Sequence, residues 1–173
     1  MLKDSGKHRE FESGAIRDAS IDKGRADLLP LDVVAKSLNA PCLESIEGFK
    51  RTKDVNLLYG AISTFVTDHT DYKDICTAMI EASKHYEAGA EKYGANNWKR
   101  GVPLHCYIDS GSRHCIKHIR GDRDEPHDRA FIWNLLCAIW TFTHKPELDD
   151  IEKDISEDIV LYADNETITL HRG

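Results

Sequence analysis

Glu87-Ala-Gly-Ala-Glu91 and Glu125-Pro-His-Asp128 are the segments of this 173-residue chain whose residue types and spacing could do chemistry. On a helix, residues three or four apart project from one face about one turn apart, so each segment presents a pair of acids. Both pairs adjoin runs that read as buried, where an unpaired acid is costly. Two pairs facing each other across a bundle supply four oxygen donors, the hard ligands that Mg²⁺ prefers. Two ions held roughly 3.5–4 Å apart could activate a water and neutralise a phosphate chain. Glu87, Glu91, Glu125 and Asp128 are therefore the expected metal ligands.

Other polar groups gather around them in the sequence. Arg113 and His114 are followed one turn later by Lys117 and His118; both histidines could ligate a metal or serve as base, a capping or solvated histidine being the plainer reading for His118 and an equal one for His114. Asn134 lies inside an apolar helix, where an amide needs partners; it holds a ligand group or fixes helix register. In residues 94–103, Asn96, Asn97, Trp98, Lys99 and Arg100 combine amides, an aromatic face and cations. A purine could stack on Trp98 while the cations reach phosphates, or Trp98 could simply anchor the loop. Lys23-Gly24-Arg25 offers backbone N–H groups and two charges as a phosphate cradle, without Walker A spacing.

The elements that must position these residues are mostly helices. Residues 1–13 are polar and expected to be mobile, and 14–30 read as a structured loop. A helix starts at Pro30, with Leu31, Val34, Ala35 and Leu38 at helical spacing, and Pro41 breaks it. A second run covers Asp54 to Val66. Asp71 is the expected cap of the next helix, whose apolar face is Ile75, Met79, Ile80, Ser83 and Tyr86, ending near Tyr93-Gly94. Further helices are expected from Leu104 to Ile119 and from Glu125 through an almost entirely apolar stretch to Phe142. An acidic segment, 147–158, leads to a short hairpin over Ile159–Leu170 turning at Asp164-Asn165. The fold class is all-α: a flexible 1–13, a helical domain over 14–146, and an acidic extension over 147–173.

Composition restricts the function classes. Apolar residues make up 40%, charged residues 31%, and the formal charge is −7. That charge disfavours duplex nucleic acid or an anionic membrane as partner, but not a nucleotide arriving with its own metal. No run approaches the ~18 apolar residues of a membrane span, and the polar N-terminus is unlike a signal peptide. Five cysteines without a CxxC pair read as reduced thiols in a cytoplasmic protein; a zinc site using Cys115 with His114 or His118 lacks supporting spacing.

Gly14-Ala15-x-Arg17-Asp18, Lys23-Gly24-Arg25-x-Asp27-Leu28-Leu29-Pro30, Glu87-x-Gly89-Ala90-x-Lys92-Tyr93-Gly94-x-x-Asn97-Trp98, Arg113-His114, and Asp124-Glu125 with His127 and Asn134 together resemble the phage dATP/dGTP diphosphohydrolases (MazZ-like). The matches span 14 to about 140, interrupted around 41–75. That family is similar to the MazG-like all-α nucleoside triphosphate pyrophosphohydrolases. The resemblance implies a MazG-like helical bundle. It also implies Mg²⁺-dependent attack of water on dGTP or dATP (Mn²⁺ as substitute), giving the monophosphate and pyrophosphate. It further implies a homodimer or tetramer, working in the host cytoplasm to feed phage 2-aminoadenine DNA synthesis.

Against the superfamily's EExxE…ExxD metal motif, Glu87 and Glu91 fit the outer acids, Ala88 replaces the middle one, and Glu125 and Asp128 fit ExxD. The two halves lie further apart than in MazG-like proteins, and Asp124 or His114 is the expected replacement for the missing acid. Glu87, Glu125 and His114 are then the expected catalytic residues. Lys23, Arg25, Lys99 and Arg113 would bind phosphate, with Asn97 and Trp98 holding the base. Two rivals stand beside this reading. His127-Asp128 is a literal HD dipeptide, which with His105 or His114 and Asp149 or Asp150 would make an HD-type triphosphohydrolase. A helical interaction protein without catalysis is the other.

Overall fold

Two prolines set the start of the helical body. Pro30 precedes α1 (Leu31–Leu38), and Pro41 occupies the first turn of α2 (Pro41–Thr52), where its missing N–H is unpaired in any helix. Pro41, expected only to break a helix, therefore begins one; Asn39, left-handed at φ 51°, makes the reversal between them. The remaining helices are α3 (Asn56–His69), α4 (Ile75–Tyr93), α5 (Leu104–Arg120) and α6 (His127–His144). The computed structural model describes residues 8–19 and 22–152, together with the backbone of 159–163 and 166–170.

Asp74, not Asp71, caps α4, its carboxylate accepting from the Thr77 N–H at 2.7 Å. It directly precedes the first helical residue, the position from which a side chain reaches the exposed amides. Outside the helices, β1 (His8–Glu10) pairs antiparallel with β2 (Ile16–Asp18) around a tight turn at Gly14. Residues 8–10 thus pair rather than float; 1–7 lie outside the described residues. The expected C-terminal hairpin is present as β3 (Ile159–Ala163) against β4 (Glu166–Leu170), its turn residues lying outside the described set.

The core is built on α5 and α6. His114 meets His127 across this pair while Gly111 lies against Asn134 two turns along, so the helices run antiparallel. Leu104, Ile108 and Cys115 on α5 and Phe131, Leu135 and Ala138 on α6 are buried together, with α2 (Leu43, Ile46, Phe49) and α3 (Leu58, Ile62, Phe65) packed over them. Phe65 and Phe131 rings are 4.1 Å apart between centroids. Gly101 is required where it is: at φ 76°, an added Cβ would stand 2.6 Å from Leu148 Cδ1.

α4 is the exception in burial. Ile80 is 66% and Ile75 42% exposed, and its fully buried residues are Ala78 and Ala82 rather than the large apolar side chains the spacing suggested. Small residues let the first half of α4 lie close to the body. Its second half opens on a cavity. Among the described residues no helix is long and apolar enough to cross a membrane.

Phe131→Ala should cost about 3–5 kcal/mol of stability, the range for emptying a buried aromatic site, read as a lowered urea midpoint with an unchanged slope.

Candidate functional site

Helix packing leaves a cavity of about 620 Å³ between α4 and the α5–α6 pair, closed on a third side by the N-terminal segment. The volume falls within the range of small-molecule sites. Tyr107, Ser110, Arg113, His114 and Lys117 recur along α5 at spacings of three and four, so one face of α5 lines the cavity. From α6 come Trp133 and Asn134, about two turns (roughly 10 Å) beyond His127. Because α5 and α6 are antiparallel, Tyr107 lies at the Trp133 end and Lys117 at the His127 end.

The first end is aromatic. Arg17 of β2 crosses it, its guanidinium 5.0 Å from the Tyr107 ring centre and 5.5 Å from that of Trp133. Arg17 Nη2 donates to Asn134 Oδ1 at 2.9 Å, and Asn134 Nδ2 donates to the Ala130 carbonyl at 2.7 Å. Two buried donors here, Arg17 Nη1 and Trp133 Nε1, have no acceptor. Buried donors are seldom left so, and both belong to residues lining the cavity. Trp98 packs edge-on against Tyr86 and Trp140 and also faces the space.

The second end is ionic. His127, its side chain fully buried, donates through Nε2 to Asp124 at 2.8 Å, and its Nδ1 lies 3.0 Å from His114 Nδ1. Glu125 Oε1 is 3.6 Å from His127 Nδ1 and 3.7 Å from His114 Nδ1. Lys117 stands 3.6 Å from Asp124. Burial, then the neighbouring His127, His85, Arg113 and Lys117, hold His114 well below the ordinary histidine range, so its ring is neutral.

Hydrogen bonds fasten the third wall. Asn97 exchanges two of them with the Ile16 backbone, each 2.9 Å. Asp18 accepts from Lys92 at 2.7 Å and Tyr93 at 2.6 Å. Asp109, buried, accepts from the Ala26 N–H at 2.7 Å and from both terminal nitrogens of Arg113 at 2.9 Å.

The structure brings together only part of the expected site. Lys23, Arg113, His114 and Glu125 line the cavity, as do Asn97 and Trp98. Glu87 and Glu91 are exposed, and Glu87 borders a neighbouring cleft with Trp98 instead. α6 starts at His127, so Glu125 precedes the helix and does not share a face with Asp128, which accepts from the Tyr72 hydroxyl. Among the described residues the groups able to converge on an ion are His114–Glu125–His127 and Asp122–Asp124–His127. Neither contains Glu87, Glu91 or Asp128, so these side chains do not fit a four-carboxylate Mg²⁺ cage.

Arg25 pairs with Asp27 at 2.5 Å and borders another cavity, and exposed Lys99 lies over the Trp98 ring. Of the HD-type partners His114 meets His127, but His105 is bonded to Asp150 beside that other cavity and Asp149 to Lys53, so neither downstream acid joins them. Cys115 faces Cys42 and His118 the His69 carbonyl, which leaves neither for zinc. Residues not expected to form the site are Arg17, Asp18, His85, Lys92, Lys117 and Trp133. Arg17, Asp18 and Lys92 were legible only as members of the quoted motifs.

Residues 67–151 match the family model described as dATP/dGTP diphosphohydrolase, N-terminal. No curated protein and no solved structure matches.

His85, also on the cavity, is pushed down to about 4 by burial and then by Arg17 and Arg129. The unfolded chain takes up this proton below 6.5, the native state only below about 4. Between those values the unfolded state holds more protons, so stability falls as pH drops, by at most about 1.4 kcal/mol per pH unit. Urea unfolding across this window should show a shallower pH slope for His85→Gln than for the parent chain; identical slopes would clear His85 of any part in it.

Proposed function

We propose that the chain, whose residues 67–151 match the dATP/dGTP diphosphohydrolase family model, acts as a member of that family and hydrolyses dGTP and dATP to the monophosphate and pyrophosphate with Mg²⁺. The observation that carries the reading is the two-ended cavity. A purine would take the aromatic end lined by Trp133, Tyr107 and Trp98, displacing Arg17 from the rings it covers so that the buried, unpaired donors Arg17 Nη1 and Trp133 Nε1 reach its acceptor edge. Arginine facing guanine O6 and N7 is a favoured pairing. The triphosphate then runs along α5 toward Arg113, Lys117 and the exposed Lys23, carrying Mg²⁺ on its own oxygens as part of the substrate.

At the ionic end Glu125 and neutral His114 hold the attacking water. Its oxygen bonds to the α-phosphorus, its proton passes to Glu125, and the bond from the α-phosphorus to the bridging oxygen breaks to release pyrophosphate. Lys117 and Arg113 offset charge on the phosphate oxygens; Arg113 is held rigid for this by Asp109. In a phage whose DNA carries 2-aminoadenine, the dGMP formed would serve as precursor. Assembly of two or four copies, as in MazG-like proteins, belongs to the same proposal.

Incubation with each dNTP and Mg²⁺ should show loss of the purine nucleotides with pyrophosphate as product. Tripolyphosphate and nucleoside would point to HD-type chemistry instead, and no turnover to a non-catalytic interaction protein. Glu125→Gln should lower turnover by about 10²-fold or more, whereas Glu87→Gln should stay within a few-fold. An equal loss in both variants would mean that substrate draws Glu87 into the centre and that the water site is misassigned.

A further inference from the structure

His114 Nδ1, His127 Nδ1 and Glu125 Oε1 form a triangle with sides of 3.0, 3.6 and 3.7 Å. The point in their plane equidistant from all three lies about 2.0 Å from each, the length of a metal–nitrogen or metal–carboxylate bond. The geometry points to a binding site for one divalent transition ion, of the Mn²⁺, Fe²⁺, Co²⁺ or Zn²⁺ class, held by these three atoms.

The surroundings are those of a ligand set. An ionised Asp124 only accepts, so His127 Nε2 carries its proton toward Asp124, and in the neutral ring Nδ1 presents a bare lone pair into the triangle. A carboxylate fixing the outer nitrogen of a histidine is the usual support of a metal-binding ring. The His127 side chain is fully buried and cannot turn this lone pair to water. His114 Nδ1 donates to that lone pair at 3.0 Å, with the ring planes tilted by 40°, and an ion entering the triangle takes the place of this shared proton, which is released as His114 turns to its other tautomer or loses it to solvent. Two imidazoles and one carboxylate are a borderline-soft donor set suited to transition ions, whereas Mg²⁺ demands oxygen ligands. Three protein ligands leave positions open toward the cavity for water or a phosphate oxygen. A place for the ion in hydrolysis rests on the proposed function; its binding does not.

The test is titration of the chelator-treated full chain with Co²⁺, read by its visible absorption and by calorimetry. One equivalent should bind, be displaced by Zn²⁺ and resist excess Mg²⁺. His114→Ala and Glu125→Gln, each checked for native circular dichroism, should weaken binding at least tenfold. Asp124→Asn, which leaves the ligands in place, should weaken it by about 10–100-fold. Absence of binding, equal displacement by Mg²⁺, or undiminished binding in both ligand variants would overturn the site and leave a simple histidine–histidine hydrogen bond. The dNTP assay separates the two readings. Purine hydrolysis without a Co²⁺ site sinks only this inference, and a Co²⁺ site at these residues without hydrolysis of any dNTP sinks only the proposed activity.

Discussion

An amide buried in the middle of an apolar helix must find partners, and Asn134 finds one within α6 and the other in the N-terminal segment. Its Nδ2 donates to the Ala130 carbonyl, while its Oδ1 receives Arg17. That second bond draws the polar chain of β2 across the open side of the α5–α6 pair. Without it the space between α4 and α5–α6 would be a surface groove. With it, Arg17 lies over Tyr107 and Trp133, and three walls enclose a cavity of about 620 Å³.

The N-terminal segment contributes little apolar area to the core; among the described residues Ala15 is its one fully buried residue before the turn at Ala26. It is held instead by side chains that satisfy backbone groups. Asn97 completes both hydrogen bonds of Ile16, Asp18 bridges to Lys92 and Tyr93, and Asp109 receives the Ala26 N–H. Individual bonds of this kind contribute only about 1 kcal/mol net, but leaving a buried partner unpaired costs more. Arg17 on this wall and Trp133 on α6 each keep one buried donor without an acceptor.

Charge is distributed along the same axis. Arg113 and Lys117 line α5 toward the corner where Asp124, Glu125, His114 and His127 converge. Burial and the surrounding cations keep His114 neutral, so this corner combines lone pairs and carboxylate oxygens within a cationic frame. That arrangement suits an anionic substrate bound beside a positive ion, and it lies about two helical turns from the aromatic end, comparable with the reach from a nucleobase to its phosphates.

Helical periodicity determined the long helices, because spacing of apolar residues reflects which face can leave water, and turn residues between two β-prone runs marked the hairpin. It failed where one residue carries two meanings: Pro41 ends one helix by starting another, and the aspartates at 71 and 74 compete for one cap. The motif strings around Gly14, Lys92, Asn97, His114, Glu125 and Asn134 carried the family resemblance, and most of these residues do line the cavity. The sequence by itself thus determined the all-α class, the resemblance to the family whose model matches residues 67–151, and the chemical types present. Which acids converge was decided only by tertiary packing. Glu87 and Glu91 share a helix face that turns to solvent, while Glu125 meets two histidines from different helices. Spacing along one helix sets which side chains share a face, but the direction of that face depends on what the helix is packed against.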